Sequence, residues 1–60
     1  MIKKMIMDYI DMEFDNIINQ ETIDLTRIKF ELDFDEGKID QYDMIVIYWI
    51  LLDMADNKKI

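Results

Sequence analysis

Nine consecutive hydrophobic residues, Met44 to Leu52, stand near the C-terminal end of a 60-residue chain. A membrane-spanning helix needs about 20 such residues, so this run is too short to cross a bilayer. Wound into a helix at about 100° per residue, it is apolar on every side. Ile39, Tyr42, Val46, Trp49 and Ile50 form one stripe; Met44, Ile47, Tyr48 and Leu51 form the opposite one. A helix apolar all round has to be covered all round, and a chain this short has little to cover it with. One stripe is expected to pack on the rest of the chain. The other, Met44, Ile47, Tyr48 and Leu51, is expected to be left over and to meet a partner. A second copy is the expected partner, which makes the chain a homo-oligomer. In a contact with a basic protein target, Tyr48 or Trp49 would supply the hot-spot area.

Boundary signals set the run inside a longer helix. Asp40 is placed to cap the N-terminus, Asp43 suits the first turn, and Ile39 with Met44 can form a hydrophobic staple. The helix is expected to continue to about Asp56. At the other end of the chain, Ile2, Ile6, Tyr9, Ile10, Phe14 and Ile17 share one helical stripe, with Asp8, Asp11 and Asp15 opposite. That spacing predicts a helix from about Ile2 to Asn19, with Glu13 falling among the apolar positions. Between the two, Ile28, Phe30, Leu32 and Phe34 alternate with Lys29, Glu31, Asp33 and Asp35, the pattern of a half-buried strand. The boundaries there read as helical instead. Asp24 can serve as N-cap, Ile23 and Ile28 as a staple, and Gly37 lies just past the C-terminus. The expected fold is all-α: one three-helix domain over residues 1–60, with a tight corner at Gly37-Lys38-Ile39. The alternative is α+β, with strands near 28–34 and 44–52.

The formal net charge is −7, and it is unevenly spread. From Asp8 to Asp43 there are twelve acidic and three basic residues, while Lys3, Lys4, Lys58 and Lys59 mark the ends. Phosphate contacts need Lys and Arg, so no direct nucleic-acid binding is expected, and an anionic membrane should repel the chain. A basic protein is the electrostatic complement. The acids Asp8, Asp11, Asp15, Asp33, Asp35 and Glu36 are the candidates for steering it. The hydrophobic share of 52% argues against disorder despite the charge. Lys3 and Lys4 are followed by Asp8 before any long apolar stretch, so no secretory leader is expected and the protein reads as cytoplasmic.

The segment Asp33 to Asp43 resembles the calcium loop of EF-hand proteins and the loop end of a dockerin. Gly37 matches the turn glycine, Ile39 the apolar residue two places on, and Asp43 the closing acid. The resemblance implies a calcium-type helix–loop–helix module. In the first half of the loop, however, the ligand positions fall on Leu32 and Phe34, which have no oxygen to offer. No metal ligand is therefore assigned, and no cofactor is expected. The chain has no His, Cys or Ser. Disulfides, the common zinc sites and the usual nucleophile–base pairs are excluded, and no catalytic residue is assigned. The expectation is a non-enzymatic, acidic interaction module, an inhibitor or adaptor of the phage or mobile-element type that binds a basic, nucleic-acid-handling protein. The alternatives are a structural subunit of a larger assembly and a degenerate calcium-type module.

Overall fold

A computed structural model describes residues 2–58, with side chains through residue 57. Lys58 and Lys59, the basic pair at the C-terminal end, lie outside the described side chains. Three helices make up the fold: α1 (Ile2–Phe14), α2 (Gln20–Asp35) and α3 (Gln41–Lys58). Among the described residues there is no strand. None of these helices is long and apolar enough to cross a membrane. The all-α expectation holds, and the α+β alternative does not.

The core is formed by Ile6 and Ile10 of α1, Ile23 and Phe30 of α2, and Met44, Ile47 and Leu51 of α3. α2 and α3 make the most extensive contact, and α1 packs across both. On α1 the buried pair is i, i+4, flanked by the half-buried Ile2, Tyr9 and Phe14. Helix α1 stops at Phe14 rather than Asn19. Asp15 and Asn16 take left-handed backbone, with φ of 52° and 62°. Asp and Asn tolerate that region better than other non-glycine residues. The Asn16 N–H donates to the Ile10 carbonyl at 3.3 Å and the Ile17 N–H to the Phe14 carbonyl at 2.9 Å, closing the helix. As a result Ile17, expected on the core stripe, is exposed, and Ile18 packs on the core in its place. Glu13, which helical spacing puts among the apolar positions, lies in the last turn and is exposed.

Helix α2 begins one turn earlier than the sequence suggests. Its N-cap is Asn19, not Asp24. The Thr22 N–H donates to Asn19 Oδ1 at 2.9 Å, and the Asn19 N–H donates back to Thr22 Oγ1 at 2.9 Å. This reciprocal pair satisfies two orphan donors at the helix start. Ile18 and Ile23 take the staple positions, instead of Ile23 and Ile28. The inward stripe of α2 is Thr22, Ile23, Thr26 and Phe30. Two threonines can be buried because the Thr26 hydroxyl donates to the Thr22 carbonyl one turn back, at 2.7 Å. The strand-like alternation has a helical explanation: Phe30 points inward, while Ile28 and Leu32 point outward. Arg27–Glu31 and Lys29–Asp33 then pair at i, i+4 along the helix.

The corner between α2 and α3 follows the expectation. Gly37, with φ of 78°, accepts the left-handed position that ends α2. Its N–H donates to the Phe34 carbonyl at 3.0 Å, and the Lys38 N–H donates to the Asp33 carbonyl at 2.9 Å. Asp40 caps α3, accepting from the Asp43 N–H at 2.8 Å. The groups that gave the segment its likeness to a calcium loop are thus engaged in ending one helix and starting the next.

Replacing Asn19 by Ala should lower stability by about 1 kcal/mol, the usual cost of a lost N-cap. Asp24→Ala, inside the helix, should stay within about 0.5 kcal/mol of wild type. Urea midpoints of the two variants check the helix start directly; equal losses would contradict it.

Candidate partner-binding surfaces

Acidic residues cover much of the surface, but they do not form one row. Asp8 and Asp11 are exposed on α1, and Asp15 leaves the helix in the left-handed turn, which breaks the three-residue stripe. Asp8 accepts from Lys4 Nζ at 2.8 Å, and that hydrogen bond holds the Lys4 ammonium above its ordinary pKa. Asp33 pairs with Lys29, whose ammonium also lies over the rings of Phe30 and Tyr9, 4.8 and 5.5 Å from their centroids. Glu36 pairs with Lys38 at 3.1 Å and raises the lysine pKa chiefly through that bond. Asp11, Asp15 and Asp35 have no ion-pair partner among the described residues.

The apolar side of α3 expected to be left over is the side that forms the core. Met44, Ile47 and Leu51 are buried, and Tyr48 is half-buried against α2. The uncovered side is the other one, where Tyr42 is 74% exposed, Ile45 48%, Trp49 74% and Leu52 65%. A physical reason distinguishes the two sides. Continued past Leu52, the outer side meets Asp53 and Asp56, while the inner side continues as Met54 and Ala55. Turning the Trp49 side inward would bury two carboxylates without partners, which is costly. That signal is present in the sequence once the angular pattern is carried to the helix end. Trp49 stands between two open hollows. One, of about 410 Å³, is lined by Tyr42, Ile45, Val46, Trp49 and Ile50. The other, of about 360 Å³, lies between α1 and α3 and includes Met7, Ile18 and Met54.

A second apolar row runs down the outside of α2. Leu25, Ile28 and Leu32 are all exposed. Their spacing of three then four puts them in one line. Glu21, Asp24 and Asp35 fall on the same side of the helix by the same geometry.

Tyr48 makes the one side-chain hydrogen bond between helices among the described residues. Its hydroxyl donates to Glu31 Oε2 at 2.5 Å, while Glu31 Oε1 accepts from Arg27 at 3.2 Å. The bond to Glu31, and then burial, push the phenol pKa above its ordinary value. No group of three metal-ligating side chains gathers among the described residues. No family model matches the chain, and neither a curated protein nor a solved structure is significantly similar to it.

The raised Tyr48 pKa has a definite sign in stability. The fold favours the neutral phenol, so this contribution is complete below the unfolded value of about 10 and is lost as pH rises through the folded value. Tyr48→Phe should cost about 1 kcal/mol at neutral pH and make the alkaline fall in stability shallower. Urea unfolding from neutral pH to about pH 11 checks this; parallel curves for the two proteins would contradict it. Calcium at millimolar concentration should leave the thermal midpoint unchanged, because the corner carboxylate of Asp40 is engaged in capping and Leu32 and Phe34 have no oxygen to offer. A saturable upward shift would contradict that.

Proposed function

We propose that this chain is a non-catalytic interaction module, of the adaptor or inhibitor kind, that binds a basic protein through the outer side of α2. The observation that carries the reading is the exposed row Leu25, Ile28 and Leu32 set beside Glu21, Asp24 and Asp35. An apolar line at helical spacing beside like charges is a surface for a helix with an apolar stripe and Lys or Arg along its edge. The apolar line would supply affinity, while the acids would supply approach rate and selection against acidic competitors. None of these three acids has an ion-pair partner among the described residues, so all are available to such a cation. The wider field of Asp8, Asp11, Asp15 and the net charge of −7 would add to steering over distance. A catalytic reading has less to build on. The chain lacks His, Cys and Ser, and its hollows are open to solvent, where acid–base groups are hard to perturb.

The test is capture of partners from cell extract with the full chain, followed by kinetics on the protein recovered. The partner should be basic, and its association rate should fall steeply as salt rises. Leu25→Glu combined with Leu32→Glu should abolish capture while leaving the helical circular dichroism intact, since both positions are exposed. A partner that the double variant still holds, or one whose on-rate ignores salt, would overturn the reading. Asp8→Asn alone should change the rate little, because single exposed charges contribute under about 1 kcal/mol.

A further inference from the structure

The outer side of α3 is separate from the α2 surface and has its own geometry. Tyr42, Ile45, Trp49 and Leu52 are spaced three, four and three, the repeat with which one helix packs along another. We infer that this side is a homodimer interface in which two copies of α3 pack antiparallel, with the two-fold axis crossing the outer side at the level of position 47, midway between Ile45 and Trp49.

The register follows from the residues themselves. In an antiparallel pair centred at position 47, Tyr42 of one copy faces Leu52 of the other, and Ile45 faces Trp49. Every layer then sets one aromatic against one aliphatic side chain, which fills space better than ring against ring and branch against branch. Asp53 and Asp56, beyond the last apolar layer, come beside the start of the partner's α3 and the corner holding Lys38. The positive end of the helix dipole favours carboxylates there, but Lys38 is already paired with Glu36, and Asp40 and Asp43 lie at the same end, so the register rests on the packing of the layers and not on charge. A parallel pair would instead stack Trp49 on Trp49 and put Asp56 against Asp56.

The area is sufficient. With about 200 Å² for a large side chain, the fractional exposures leave roughly 500 Å² uncovered on these four residues. That is near the upper end of the largest patch on a typical monomer, about 300–600 Å². Covered completely on two copies, these residues supply roughly 1,000 Å², the lower bound for a specific interface. Trp49 and Tyr42, each 74% exposed, are the residue types that dominate such contacts. The net charge of −7 per copy opposes association, so the dimer tightens as salt rises, opposite to the partner contact on α2. The inference does not depend on that contact: a dimer failing to form leaves the α2 reading standing, and the reverse.

Sedimentation equilibrium of the full chain at tens of micromolar, in low and high salt, reads the association state. A dimer strengthened by salt is expected. Trp49→Glu should raise the dissociation constant by at least about 30-fold, the factor that a hot-spot residue carries, with helical circular dichroism unchanged. Ile45→Ala, less exposed, provides a milder variant should Trp49→Glu unfold. Register is read by disulfide cross-linking, which is clean because the chain has no cysteine. A mixture of Tyr42→Cys and Leu52→Cys proteins should give the mixed 42–52 product. Predominant 42–42 and 52–52 products, a wild type that stays monomeric, or a dimer indifferent to Trp49→Glu would each overturn the proposal.

Discussion

Two helices can cover only part of the circumference of a third, because neighbouring axes sit about 8–10 Å apart and touch along one side each. α3 is apolar around nearly all of its middle turns, so one side of it stays outside whatever the packing. The choice of side rests on Asp53 and Asp56. Burying the acid-free side places Met44, Ile47 and Leu51 against Ile6, Ile10, Ile23 and Phe30. The surface of α3 follows from that choice, since it puts Tyr42 and Trp49 outside.

The caps decide where the other helices meet α3. Asn19 with Thr22 starts α2 early enough to bring Thr22, Ile23 and Thr26 into the core. A start at Asp24 would have left that stripe one turn short. The left-handed pair Asp15 and Asn16 ends α1 in time to let the chain turn back, leaving Ile17 outside and Ile18 inside. The glycine corner brings α2 and α3 side by side, close enough for Tyr48 to reach Glu31. Most of the polar bonds are local, within four residues, and hold single helices together; that one joins two.

Charge and apolar surface have divided roles. The i, i+4 pairs Lys4–Asp8, Arg27–Glu31 and Lys29–Asp33 absorb part of the acidity along the helices. Asp11, Asp15 and Asp35, without ion-pair partners among the described residues, contribute to the field a binding protein would meet. The two outward rows, on α2 and α3, differ in their borders. The first runs beside three acids and the second is nearly uncharged until Asp53, which is why their proposed occupants differ in chemistry and respond oppositely to salt.

Helix class, the third helix with its Asp40 cap and the Gly37 corner were legible in the sequence, because capping and periodicity act over a few residues and carry their own signature. The start of α2 was not, because Asn19 and Asp24 are both acceptable caps, and the reciprocal bonds between Asn19 and Thr22, together with burial of Thr22 and Thr26, select the first. Ile17 fits the α1 stripe by angle, and only the backbone turn at Asp15 and Asn16 removes it. The surface assignment on α3 was reversed for a related reason. Met44, Ile47, Tyr48 and Leu51 resemble Tyr42, Ile45, Trp49 and Leu52 in apolar character, and only Asp53 and Asp56, past the apolar run, rank the two stripes. Sequence alone favoured three helices over an α+β arrangement and determined that the chain carries more apolar surface than it can hide. Tertiary structure decided which residues are hidden, because burial is settled by what lies across from a side chain, including distant acids that no helix can turn inward at little cost.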